Sequence, residues 1–340
     1  MPFRAVIGHR RLLDLLSRSV ARKTLPPSVI LAGPDGVGKR LTATAIAQAL
    51  NCLSPVSGTG GDQLAIDACG ECGVCRRIAR GVHADVHAIV PGETGSIKVE
   101  QVREAIDRTM YRPFEGKRRV TIIDNADALM AGAQNALLKT LEEPSASSVF
   151  LLITSRPDSL LPTVRSRCSV LRFARLAAVD VAAVLERDHK YERREALAAA
   201  AAADGSVRRA LDIQGGDVAD ARTTVGELLR EARPGRDARA RLEGAKDLLK
   251  GGGTAASERE HLGVQLQALA SMIRDLGVLS TGADVRLLAN VDLRDELAAL
   301  ATSFDSHRAL RVFESVDRAY DALDRNVSAK VVADWLSLQL

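Results

Sequence analysis

Three groups of residues in this chain have types and spacings suited to chemistry. The first is Gly33-Pro34-Asp35-Gly36-Val37-Gly38-Lys39, in which glycines let backbone amides curl around a polyphosphate and the lysine reaches its outer oxygens. The apolar run from Ser28 to Gly33 precedes it and a helical pattern from Leu41 to Leu50 follows, so the sequence predicts strand, loop and helix. The next position, where Ser or Thr would hold a magnesium ion, is Arg40. A guanidinium has donors only, and its charge repels a cation placed beside it. Thr42 lies about 200° around the helix from Arg40, so it faces the wrong way to substitute.

The second group follows the apolar run Val120 to Ile123 and reads Asp124-Asn125-Ala126-Asp127. A working ATPase of this type needs an acid for the metal, here Asp124, and then a glutamate to polarise the attacking water. Asn125 stands in that second place and cannot take a proton. The reading is a site that holds ATP or ADP without hydrolysing it.

The third group is Cys69-x2-Cys72-x2-Cys75, with Cys52 upstream and Cys168 alone. Four thiolates make a closed tetrahedral zinc site with no open position, so the expected metal role is structural. Pro55, Gly58, Gly60 and Gly61 give the intervening chain the slack to fold Cys52 back onto the others. His83 and His87 are fallback ligands, and Cys168 reads as a small buried apolar residue.

Alternating elements must position these groups. Further strands are expected at His87 to Val90, Val120 to Asp124 and Val149 to Thr154, with helices at Val99 to Met110 and Gly132 to Leu141, the latter stopped by Pro144. That alternation predicts an α/β domain with a parallel sheet. Beyond about Phe173 the pattern becomes all helix, broken at Gly205 and Gly215-Gly216, with a flexible connection at Gly251 to Ser257. The expected domains are 1–174, carrying the zinc module at about 52–75, then 175–213 and 214–340. Leu262, Leu266, Leu269, Ile273 and Leu276 recur at helical spacing, as does the closing run Val331, Val332, Trp335 and Leu336, and either an internal bundle core or an oligomer contact accounts for them.

Composition closes off other classes. At 340 residues the chain exceeds one compact core, and 46% hydrophobic with 26% charged residues excludes wholesale disorder. The apolar stretch Ala196 to Ala203 is far short of the roughly 20 residues that span a bilayer. With no secretion signal at Met1-Pro2-Phe3-Arg4, the expected address is cytoplasmic, with no membrane partner. A net charge of +4 permits contact with nucleic acid without demanding it, and 3% aromatics argue against base-stacking platforms.

These motifs resemble the AAA+ modules of bacterial DNA polymerase III clamp loaders. Asn135-Ala136-Leu137-Leu138-Lys139-Thr140-Leu141-Glu142-Glu143-Pro144 is similar to their signature helix, and Ser166-Arg167-Cys168 to their trans-acting arginine motif. Phe3 to Gly8 resembles the family's adenine-side segment. Gly81-Val82-His83-Ala84-Asp85 resembles its Gly-x-His-Pro-Asp, Gly205 to Leu211 its second sensor, and Asp324-Arg325-Asn326-Val327 its last collar helix. Ala84 and Ser145 depart from prolines usual in the family. Within the family the likeness is nearest to the delta-prime type of subunit.

The resemblance implies an AAA+ nucleotide domain with a zinc module, a helical lid and a helical collar. It implies a ring subunit without ATPase activity of its own, although a member of the DNA polymerase holoenzyme, that loads a sliding clamp on primed DNA. Arg167 would be the finger offered to a neighbouring motor ATPase, an effect worth around 10³ to 10⁵ in rate. Thr154 and Ser155 would stand at the first sensor position and Arg208 at the second. Arg165 and Arg172 read as solvent or interface charges. Partners would be the gamma or tau motor and the delta subunit, and more loosely the clamp and DNA. Three rivals remain: an active gamma or tau-type ATPase, a stand-alone zinc and nucleic-acid-binding protein, and a P-loop kinase.

Overall fold

Short apolar runs become the strands of one parallel sheet. In the computed structural model, which describes residues 1–58, 64–92, 95–213, 215–232, 246, 248–249, 255–325 and 327–340, they are β1 (Ser28–Ala32), β2 (Val86–Ile89), β3 (Arg119–Ile123), β4 (Ser148–Thr154) and β5 (Ser169–Arg172). Their spatial order is β2-β3-β4-β1-β5, and every neighbouring pair is parallel. β1 and β4 are buried at every residue, as a parallel sheet covered on both faces requires. The expected α/β parallel-sheet class is what the chain adopts. β5 is an addition that the sequence reading did not contain.

Register decides where the functional side chains stand. Ala32 pairs with Thr154, and Ile123 with Leu152, so β1, β3 and β4 end side by side. The residues that follow these ends are Gly33, Asp124 and Ser155. In an open α/β sheet this C-terminal edge is where ligands sit.

Among the described residues the strands are flanked by α1 (Arg10–Ala21), α2 (Lys39–Asn51), α3 (Gly73–Ala79), α4 (Val99–Thr109), α5 (Ala131–Glu142) and the single turn α6 (Pro162–Arg165). Ile30, Ile97, Ile123, Leu137, Phe150 and Leu152 form one fully buried cluster, each contributing about 1.5–3 kcal/mol by leaving water. α5 stops one residue after Leu141, short of Pro144.

The chain divides into two compact units, Met1–Arg175 and Leu176–Leu340. The second is helical: α7 (Ala178–His189), α8 (Arg193–Ala202), α9 (Val207–Asp212), α10 (Gly215–Glu231), α11 (Ala255–Ser280), α12 (Arg294–Ala301), α13 (Ser306–Asp324) and α14 (Ala329–Gln339). Helices on either side of residue 213 pack together through Ala198, Val218 and Ala219, with Ile213 and Val264 against them. Leu262, Leu266, Leu269, Ile273 and Leu276 all lie in the internal core, with Val332 and Leu336, so these residues report a bundle interior rather than an oligomer contact. Val331 departs from them, being 59% exposed. Residues 251–254 of the expected flexible connection, Gly60 and Gly61 of the cysteine loop, and Asn326 of the collar motif lie outside the described residues. Among the described residues no helix is long and apolar enough to cross a membrane.

Candidate functional site

The Gly33–Lys39 segment follows β1 as expected and opens α2. Gly33 has no room for a side chain: a Cβ there would stand 2.8 Å from Phe173 Cβ, because Phe173 donates its N–H to Ala32 O at 2.7 Å and runs beside the loop. Gly36 and Gly38 adopt positive φ of 75° and 96°, which glycine takes without steric cost. Gly38 caps α2 with no side-chain hydrogen bond, so no capping side chain occupies the first N–H groups of the helix. His9 braces the loop from outside, with Nε2 3.0 Å from Val37 O and its ring edge-on to Phe173.

Lys39 is buried, and its ammonium donates to Gly33 O and, at 2.7 Å, to Pro34 O, with Asp35 Oδ1 at 3.5 Å. Burial pulls its pKa below the ordinary lysine value, and Asp35, Asp127 and Asp124 oppose that pull. A polyphosphate entering the loop would compete with the two carbonyls for this ammonium.

Arg40 turns out of α2 toward the end of β3, where Nη1 lies 3.1 Å from Asp124 Oδ2. The carboxylate expected to hold a cation is thus paired with a guanidinium standing in the cation's usual side-chain slot. Thr42 is fully buried and its hydroxyl donates to Gly38 O at 3.0 Å, so it offers nothing to a metal. Asn125 takes a left-handed conformation, φ 59° and ψ 58°, which asparagine tolerates, and starts the short turn Ala126–Ala128.

Asp127, which sequence reasoning left without a role, organises the end of β4. It accepts from the hydroxyl of Thr154, from Ser155 N at 3.1 Å and from Ser155 Oγ at 2.8 Å. Burial raises its pKa, but these donors outweigh burial and hold the carboxyl below its usual range. Thr154, the candidate first sensor, therefore has its proton committed within the chain. The only sequence hint was an acid three residues after Asp124.

Arg167 follows α6. Its guanidinium donates to Thr163 O at 3.0 Å and to Glu142 Oε1 at 3.1 Å, while Nε is buried with no hydrogen-bond partner. Glu142 belongs to the signature helix, yet no role for it was legible in the sequence. Cys168 is half-buried against the core, where burial pushes its thiol up to about 11. Arg165 pairs with Asp158 at the surface. Arg208 is exposed on α9 and belongs to the second unit.

The four cysteines come together as their spacing suggests. Cys52 ends α2, Cys72 caps α3, Cys75 lies within α3, and all four sulfurs are within 4.8 Å of one another. Cys52 and Cys69 are 3.5 Å apart and Cys69 and Cys75 4.0 Å, close to the roughly 3.8 Å edge of a tetrahedron with Zn–S bonds of about 2.3 Å. Backbone N–H groups point at the sulfurs, from Cys69 to Cys52 at 3.3 Å, Cys72 to Cys69 at 3.3 Å and Cys75 to Cys72 at 3.4 Å. Donors aimed at sulfur favour thiolate. Hydrogen bonds from Ser54 and from Cys72 bring the Cys69 thiol down to about 6, whereas burial raises the Cys52 and Cys75 thiols. The cluster is compatible with zinc.

His83 is not part of it. Nδ1 accepts from Asp85 N at 3.1 Å, so the histidine is structural. Asp85 in turn accepts from the amides of Phe114, Glu115 and Gly116 and pairs with Arg119 at 3.1 Å. His87 lies in β2, where burial lowers its pKa.

The sequence model of the family described as DNA polymerase III, delta subunit, matches residues 8–177, half of the chain. The chain belongs to that family. It is 36% identical over 222 residues to the DNA polymerase III subunit delta' of Pseudomonas aeruginosa, covering 65% of this chain and 61% of that protein. It is 35% identical over 219 residues to the DNA polymerase III subunit tau of Salmonella typhimurium, covering 62% of this chain and 32% of that protein. The chain thus spans less than two thirds of the length of either relative. Among solved structures, a Bacillus subtilis DNA clamp loader delta protein is similar over 96% of this chain and 98% of that one, at 14% identity and a TM-score of 0.37.

Proposed function

We propose that this chain is a delta-prime-type stator of a DNA polymerase III clamp loader, a subunit that does not turn over nucleotide and lends Arg167 to a neighbouring motor ATPase. The observation that carries the reading is the Arg40–Asp124 pair: the acid that would hold magnesium is already neutralised, and the glutamate position is Asn125. Both losses leave the phosphate loop itself in place, which suits a site retained for binding.

The remaining roles follow the same reading. Gly33 to Arg40 would cradle ATP or ADP, and Cys52, Cys69, Cys72 and Cys75 would hold one structural zinc that ties the end of α2 to α3. Residues 175–213 would form a lid carrying Arg208, and 214–340 a collar. The gamma or tau motor and the delta subunit would be direct partners in a cytoplasmic ring, with the sliding clamp and primed DNA reached through the complex.

An active motor is the second reading, favoured by the near-equal identity to a tau subunit. Steady-state ATP turnover by the isolated chain separates the two. The stator reading expects no turnover above background, and none removed by Lys39→Ala. Turnover that Lys39→Ala abolishes would make the chain a motor.

A further inference from the structure

Magnesium is the ion that a phosphate loop and a following acid ordinarily share, and the residues present do not fit it. A magnesium site needs oxygen ligands in a near-octahedral shell, usually one hydroxyl or carboxylate from the protein besides phosphate and water. Here the hydroxyl position is Arg40 and the available threonine donates to Gly38 O. The carboxylate of Asp124 is mostly buried, at 15% exposure, and its Oδ2 faces Arg40 Nη1 at 3.1 Å. Any divalent ion at Asp124 would first have to displace that guanidinium and then remain within a few ångströms of its charge.

We propose that Arg40 is a built-in replacement for the metal, and that this loop takes nucleoside di- or triphosphate free of any divalent cation. The proposal rests on the reading of Gly33 to Lys39 as a polyphosphate cradle. Two features of the pair support it. Arg40 is itself 69% exposed while Asp124 is not, so one end of the guanidinium is anchored to a fixed acid and the rest faces outward. A guanidinium offers five donors in a planar fork, enough to hold a carboxylate on one edge and phosphate oxygens on another. Magnesium bridges a carboxylate and a phosphate by accepting lone pairs from both, whereas an arginine bridges the same two groups by donating to both. The positive charge therefore sits between acid and phosphate in either case, but the arginine never dissociates and cannot activate water.

A consequence follows for affinity. An ordinary loop binds the magnesium complex of a nucleotide better than the free anion, because the ion screens phosphate charge from the acid. This loop should show the opposite preference or none, since Arg40 supplies the screening and the free nucleotide carries the larger negative charge toward Lys39, Arg40 and the start of α2.

Titration calorimetry with ADP and with ATP, on the full chain, tests this in millimolar magnesium and again in excess EDTA at matched ionic strength. The expected dissociation constants agree within about threefold, or are lower in EDTA. Arg40→Thr, checked for folding by circular dichroism, should bind at least about tenfold tighter with magnesium than without. Wild-type binding that needs magnesium would overturn the proposal, as would an Arg40→Thr variant no more magnesium-dependent than wild type. Failure of the wild-type chain to bind either nucleotide would overturn it too, yet would leave the stator reading standing, because donating Arg167 to a neighbour requires no nucleotide here.

Discussion

Asp85 shows how one side chain in this molecule can fix a neighbourhood. It is buried, and three consecutive amides and Arg119 all donate to it. Burial alone would raise its pKa, but the amides of Glu115, Phe114 and Gly116 and the Arg119 charge depress it below the ordinary aspartate value. A depressed carboxyl stabilises the fold above its unfolded pKa of about 3.9, and that contribution disappears as pH falls through the lower folded value. Asp85→Asn should therefore cost about 3 kcal/mol at pH 7, measured by urea unfolding, with a loss that shrinks as pH approaches 3. An equal loss at both pH values would show that shape, not charge, is what Asp85 provides. The residue was noticed in the sequence only as the end of a family motif. Its partners lie near residue 115, about 30 positions on, and pattern reading has no access to such a pairing.

The same limit explains what was and was not legible at the site. Gly33 to Lys39 could be read because its chemistry is local: seven adjacent residues, a strand before and a helix after. The Arg40–Asp124 pair joins two residues brought together only by the sheet order, which places β4 between β1 and β3 and ends all three at one edge. Thr154 and Asp127 meet for the same reason.

Among the elements, those with strong apolar pattern were readable and the short polar ones were not. β1 and β4 are buried along their whole length and stood out as apolar runs. β5, Ser169–Arg172, is four residues at the sheet edge with exposed serine, valine and arginine, so no apolar run marks it. It nevertheless leads into Phe173, whose backbone forces a glycine at position 33.

The cysteine module is the second element-scale case. Besides the sulfurs, it is joined to the sheet domain by Gln48 Nε2 to Cys75 O at 2.7 Å and by Lys117 Nζ to Cys52 O at 2.8 Å. Asp67, just before Cys69, accepts from Phe3 N and Arg4 N. If the four cysteines hold zinc as proposed, its removal should therefore loosen the end of α2 and the first turn of the chain together. Cys75→Ser is expected to lower bound zinc from one equivalent to well under half, measured by elemental analysis, and to lower the thermal midpoint by about 2–4 °C per kcal/mol lost, the scale for a unit the size of Met1–Arg175. Full zinc content in that variant would remove Cys75 from the ligand set.

At the scale of the molecule, the sheet unit and the helical unit have separate logics. The first gathers the Gly33–Lys39 loop, Asp124, Thr154 and Arg167 in one unit. The second buries Leu262, Leu266, Leu269, Ile273 and Leu276 in its own core, so of the two readings left open for that pattern the internal bundle core is the one that describes it. Sequence periodicity reports that a helix face is buried; it does not say whether the covering residues come from the same chain.

Arg167 remains the residue through which the account reaches beyond this chain. Its guanidinium is held by Glu142 and Thr163 O and is partly exposed. The most direct measurement is ATP turnover by a clamp loader reconstituted from motor, delta and this chain, comparing wild type with Arg167→Ala at equal complex content by gel filtration. The account predicts a fall in turnover of about 10³ for the motor site that Arg167 would serve, seen as loss of that site's share of the total, with assembly unchanged. Undiminished turnover in an intact complex would contradict it.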